Sequence, residues 1–179
     1  MKGHFFASLA FALVAGLAVV PWLILIAPVV GSGTALAFLM PPAVAAYTCL
    51  IAPSWRTGIR AGLAGAALAG LPLLLTASLE TRLLGAALTL ALIRSGWLFR
   101  RRGFRTVAVE LALAAAGLLL AAALAGGTVL GWGLATWTFF LIQSLYFLIA
   151  DVEPRSEATS RDPFERARDR ALAVLDGSV

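Results

Sequence analysis

From Phe5 to Val30 the chain contains no charged residue. A stretch this long exceeds the apolar core of a typical secretory leader and suffices to cross a bilayer as a helix. Lys2 precedes it as the basic residue of a leader would. The length instead predicts an uncleaved signal anchor. The pattern then repeats. Apolar stretches alternate with short breaks that carry turn residues or charge. The predicted spans are 5–29, 34–52, 58–78, 83–99, 106–126 and 129–150. Gly31-Ser32-Gly33, Pro53-Ser54-Trp55-Arg56, Glu80 with Arg82, Arg100 to Arg105, and Gly126-Gly127-Thr128 separate them.

Composition supports this reading. Hydrophobic residues are 61% of the 179 and charged residues 13%, whereas soluble domains are about half apolar and about a quarter charged. A chain this short cannot bury so much apolar surface in a water-soluble core. The expected class is all-α: a six-transmembrane-helix bundle over 1–150, followed by a polar tail over 151–179.

Arginine placement sets the expected orientation. With the N-terminus in the cytoplasm, one side collects Lys2, Arg56, Arg60, Arg100, Arg101, Arg102 and Arg105. Arg155, Arg161, Arg166, Arg168 and Arg170 of the tail join them, and the other side has only Arg82. This follows the positive-inside rule through six spans and places both termini in the cytoplasm. The Lys-poor, Ala/Leu/Arg-rich composition suggests a GC-rich bacterium, hence its cytoplasmic (inner) membrane. The basic balance therefore reflects topology, and nucleic acid is not an expected partner. Arg100, Arg101, Arg102 and Arg105 are expected beside anionic lipid headgroups. Trp55, Trp97, Phe99 and Tyr146 are expected near the inner interface and Trp132 near the outer one. Pro21 and Pro28 in the first span and Pro41-Pro42 in the second predict kinks.

Helices in lipid associate through small residues and buried polar contacts. Span three offers Gly58, Gly62, Ala66 and Gly70 at four-residue spacing, and span five offers Ala114, Gly117, Ala121 and Ala125. Two ionisable residues fall inside spans. Arg94 and Glu110 lie at matching depths, about 7 Å from the ends joined by one basic loop. Each continues a small-residue face, Ala87 and Ala91 for Arg94 and the span-five ridge for Glu110. They are expected to pair in the inner leaflet, because an unpaired charge at the bilayer centre costs about 2.5–3.5 kcal/mol. Separate snorkelling to the interface is the alternative. Tyr47, Thr48, Ser95, Gln143 and Ser144 lie at similar depth. With Arg94 and Glu110 they form a candidate polar binding site opening to the cytoplasm, unless the hydroxyls merely bond their own helices.

The tail predicts one short amphipathic helix, about 163–175. Asp162 serves as N-cap, Pro163 occupies the first position and Glu165 closes a capping box. Ala167, Ala171, Val174 and Leu175 form its apolar stripe.

Most catalytic chemistries lack their residues. His4 is the only histidine and Lys2 the only lysine, and both precede the first span. A histidine-ligated haem, a mid-helix Schiff base and a Ser–His dyad are excluded on that basis. Cys49 is the only cysteine, so no disulfide forms within the chain and no cysteine-based metal site exists. No cofactor or metal is expected, and only an intramembrane enzyme built on Arg94 and Glu110 would remain. The expected function is a non-enzymatic integral subunit or accessory factor of a larger membrane complex. Its partners would be lipids and other protein subunits, reached through the small-residue ridges and the C-terminal helix. The alternative is a small transporter or substrate-binding permease with its site in the inner polar cluster.

Overall fold

The computed structural model describes residues 2–75, 78–98 and 104–149. Every element among them is helical: α1 Lys2–Val30, α2 Ser32–Ile51, α3 Trp55–Leu75, α4 Leu79–Leu92, α5 Phe104–Ala125, α6 Val129–Ser144 and α7 Tyr146–Ile149. A π-helical segment, Ile93–Leu98, continues α4 directly. Five helices are long and apolar enough to cross a membrane: Gly3–Val30, Ser32–Ile51, Trp55–Leu75, Val107–Ala125 and Val129–Ile149. The expected C-terminal helix and Arg100, Arg101 and Arg102 lie outside the described residues, as does the Arg105 side chain.

Local chemistry explains the corners. Gly31 has φ 84°, so a single residue outside the α region turns α1 into α2. Gly126 (φ 50°) and Gly127 (φ 73°) make the α5–α6 turn. Thr128 then caps α6 by accepting from the Gly131 N–H at 2.9 Å. At α4 the structure corrects the expected boundary. Ser78 caps the helix by accepting from the Thr81 N–H. Glu80 and Arg82 consequently lie inside α4 and not in the break before it. A carboxylate in the first turn complements the helix dipole, which is why Glu80 does not end the apolar run there. The prolines do not break their helices either. Pro21, Pro28, Pro41, Pro42 and Pro72 all lie inside assigned helices.

Consecutive long helices run antiparallel. The Ser8 hydroxyl near the start of α1 bonds the Tyr47 hydroxyl near the end of α2 (2.9 Å), and Trp22 donates to the Ala35 carbonyl at the other end (2.8 Å). The helix α1 packs between α2 and α6, α5 lies against α6, α4 touches α2, α3 and α5, and α3 packs on α2 and α4. This arrangement encloses a core centred on Tyr47, Phe140, Phe11 and Leu98. We call the end where α1 begins, the π segment ends and α5 begins the base.

Small residues bring the helices together. A Cβ on Gly58 would lie 3.1 Å from the Cys49 carbonyl oxygen, and one on Gly65 would meet Ile93 at 2.9 Å. The buried face of α3 runs through Gly58, Ala61, Gly62, Gly65 and Ala69. Ala66 and Gly70, expected on the ridge, lie only partly buried beside it. A strict four-residue repeat drifts around a helix of 3.6 residues per turn, so the true face mixes spacings of three and four. On α5, Ala114, Gly117 and Ala125 are buried, and Gly117 admits the Phe139 ring of α6. Both ridges are thus occupied by contacts within the chain. The closest backbone approach between α1 and α6 involves Gly16 and Gly133, which the ridge pattern did not single out. A Cβ at Gly16 would lie 2.6 Å from the Trp137 Cβ and 3.0 Å from the Gly133 carbonyl oxygen.

Gly16→Leu should therefore force α1 from α6 and destabilise the bundle by about 1–3 kcal/mol. Gly3→Ala, where an added Cβ meets nothing within 4 Å, should be neutral. Thermal unfolding in detergent measures both, and equal melting of the Gly16 variant and the wild type would contradict this contact.

Candidate functional site

The Arg94 side chain lies in the π segment, 1% exposed, and points into the bundle. Glu110 faces it from α5, 2% exposed. Arg94 Nε donates to Glu110 Oε1 at 2.9 Å, and Nη2 donates to Glu110 Oε2. The pair is bidentate, the geometry in which the planar guanidinium binds a carboxylate best. Gln143 of α6 supplies the next partners. Its main-chain carbonyl accepts from Arg94 Nη1 and its Oε1 accepts from Arg94 Nη2, both at 2.9 Å. The Gln143 Nε2 then donates to the Leu113 carbonyl on α5 at 3.3 Å. Tyr146 covers the remaining face, with the guanidinium carbon 4.1 Å from its ring centroid. Every guanidinium nitrogen thus has a partner, and no buried side-chain polar atom among the described residues lacks one.

Two serines explain how the backbone reaches this geometry. Ser95 Oγ donates to the Ala91 carbonyl at 2.6 Å, within the stretch where α4 loosens into the π segment. Ser144 Oγ donates to the Leu141 carbonyl at 2.6 Å, on the acceptor that the Leu145 N–H would take in a regular α-helix. The Leu145 N–H bonds the Ile142 carbonyl at 3.1 Å, and α6 ends there. Serine back-bonding of this kind competes with the helical ladder. Each departure lies immediately beside a member of the cluster, Arg94 in one helix and Gln143 in the other.

The structure therefore divides the seven candidate residues. Arg94, Glu110 and Gln143 converge. The Tyr47 hydroxyl is engaged by Ser8. Thr48 donates to the Val44 and Ala45 carbonyls of its own helix, each at 2.9 Å. Ser95 and Ser144 likewise serve their own backbones. The polar groups of Arg94, Glu110 and the Gln143 amide are bonded to one another or to the backbone. Tyr146, 1% exposed, covers Arg94 inside the bundle, and Trp55 is 76% exposed. Sequence reasoning missed Ser8 and the Tyr146 contact. The three-residue spacing from Gln143 to Tyr146, which puts both on one helical face, was the available signal for the second.

Comparison with protein-family models, curated proteins and solved structures gives no significant match for this chain.

Leaving either charge buried without its partner should cost about 3–5 kcal/mol. Arg94→Met and Glu110→Met should each lower the yield of folded protein and its unfolding temperature in detergent. The exchange Arg94→Glu with Glu110→Arg should recover part of what either reversal loses. An exchange no better folded than the single reversals would show that the pair contributes nothing.

Proposed function

We propose that this chain is a non-enzymatic integral subunit or accessory factor of a larger complex in the bacterial cytoplasmic membrane. In this reading it crosses six times, with both termini in the cytoplasm. The supporting observation is the closed state of the ionic cluster. Arg94, Glu110 and Gln143 direct their polar atoms at one another or at the backbone, so the strongest electrostatic group inside the bundle holds helices together. The same closure weighs against the permease alternative, because a solute at that point would have to break the bidentate pair to enter.

Six crossings follow from counting α4 together with its π continuation. Their 14 and 6 residues reach about 30 Å at about 1.5 Å per residue, close to the hydrocarbon thickness. Arg94 lies in this segment, and Glu110 neutralises it. Lys2, Arg56 and Arg60 lie at the base, toward which the described ends of the α4–α5 connection also point. By the positive-inside rule the base faces the cytoplasm. With both small-residue ridges used within the chain, the amphipathic segment about 163–175 is the proposed docking element for a partner subunit.

Two measurements test this reading. A reporter active only in the cytoplasm should work when fused after Asp151 and fail when inserted at Gly127. Native mass spectrometry of chain purified in mild detergent from its own membranes should show a defined heteromeric assembly. Removing residues 163–175 should dissociate that assembly without unfolding the bundle. An isolated protomer that moves a solute across liposomes would overturn the subunit reading.

A further inference from the structure

The half of the bundle opposite the base is not solidly packed. A cavity of about 230 Å³ lies there between α2, α4, α5 and α6. Its walls are aliphatic and aromatic, with Glu80 and Thr136 as the polar exceptions. Of the lining residues, Glu80 and Ala122 are exposed, so the mouth opens between the start of α4 and the end of α5. The cause is visible in the sequence. The α5 wall is Leu118, Ala121, Ala122 and Ala125, and three of these four side chains are single methyl groups. The Arg94–Glu110 clamp holds this helix pair together only near the base, roughly 16 Å away at the level of Leu83.

The lining indicates what the cavity can hold. Water needs several polar partners, and an apolar cavity of about 150 Å³ stays dry and accepts benzene. This cavity is larger and similarly apolar. Its mouth lies between two helices whose outer faces carry exposed leucines such as Leu84 and Leu119. In a bilayer, hydrocarbon would be the medium at that opening. Glu80, in the first turn of α4, marks the level of the headgroups.

We propose that this cavity takes up the hydrocarbon chain of a membrane lipid entering between α4 and α5. The inference rests on the membrane-spanning reading and is independent of the partner subunit.

The test uses the full chain in vesicles of phosphatidylethanolamine and phosphatidylglycerol doped with a lipid bearing a diazirine on its acyl chain. After irradiation, the labelled residues are mapped by mass spectrometry. Ala86 and Ala135 line the cavity and are each 3% exposed, so a chain reaches them only from inside. Leu17 and Leu119 report the outer surface at 65% and 72% exposure. Label is expected on all four. Ala122→Trp at the mouth should reduce labelling of Ala86 and Ala135 by about tenfold, because the indole occupies the opening through which the chain enters. Labelling of Leu17 and Leu119 should persist. Ala86→Phe, which fills the cavity from within, should likewise reduce labelling of Ala135. Labelled Leu17 and Leu119 with unlabelled cavity walls would overturn the proposal, as would Ala135 labelling that neither variant alters. Absence of label at all four positions would overturn the membrane reading itself.

Discussion

A guanidinium cannot rest in hydrocarbon unless something neutralises it and occupies its donors. The whole base of this bundle is arranged around that constraint. Glu110 supplies the opposite charge, Gln143 supplies two oxygens, and Tyr146 supplies a ring face. These partners come from two other stretches of chain, α5 and the end of α6 with α7, so satisfying Arg94 also fixes the α4 continuation, α5 and α6 relative to one another. Apolar side chains give little preference for one helix arrangement over another when lipid is equally apolar. A polar cluster with defined donors and acceptors discriminates far more sharply, because every misaligned arrangement strands a charge.

Glycine and alanine set how closely the remaining helices approach. Gly16 and Gly133 allow α1 and α6 to touch near their backbones, and Gly85 makes room for the Pro72 ring between α3 and α4. Alanine has the opposite effect along the far half of α5. Its short side chains face leucines that do not close the gap, and the result is an apolar void where a larger residue would have given a solid core. The molecule is therefore tight where charge demands it and loose where only dispersion forces act.

Much of this was legible in the sequence. The alternation of apolar stretches and charged breaks gave the five helices long and apolar enough to cross a membrane close to their observed positions, because backbone satisfaction in lipid leaves few alternatives. The matching depth of Arg94 and Glu110 gave the ion pair. The breaks in helical geometry were not legible, since Ser95 and Ser144 are ordinary helix residues until their hydroxyls take a backbone acceptor. Which polar candidates converge was not legible for a related reason. Depth along a helix places side chains on a common level but does not say whether they meet one another or their own backbone, as Thr48 shows. The start of α4 was misplaced because charge was taken as a boundary, whereas the cap at Ser78 makes Glu80 a stabilising part of the helix.

Six residues wound as π change the angular phase of a helix. A π turn holds more residues than an α turn, so side chains beyond it are rotated relative to where an unbroken α-helix would aim them. Within this stretch Arg94 and Leu98 face inward, while Gly96 and Trp97 face out. The stretch acts as a built-in one-residue insertion. Winding the same six residues as α would swing Leu98 by about 100° and leave the chain just as apolar. The inward aim of Leu98 thus depends on how the stretch from Ile93 to Leu98 is wound, not on its composition. Substitutions at the outward positions would pass almost unnoticed.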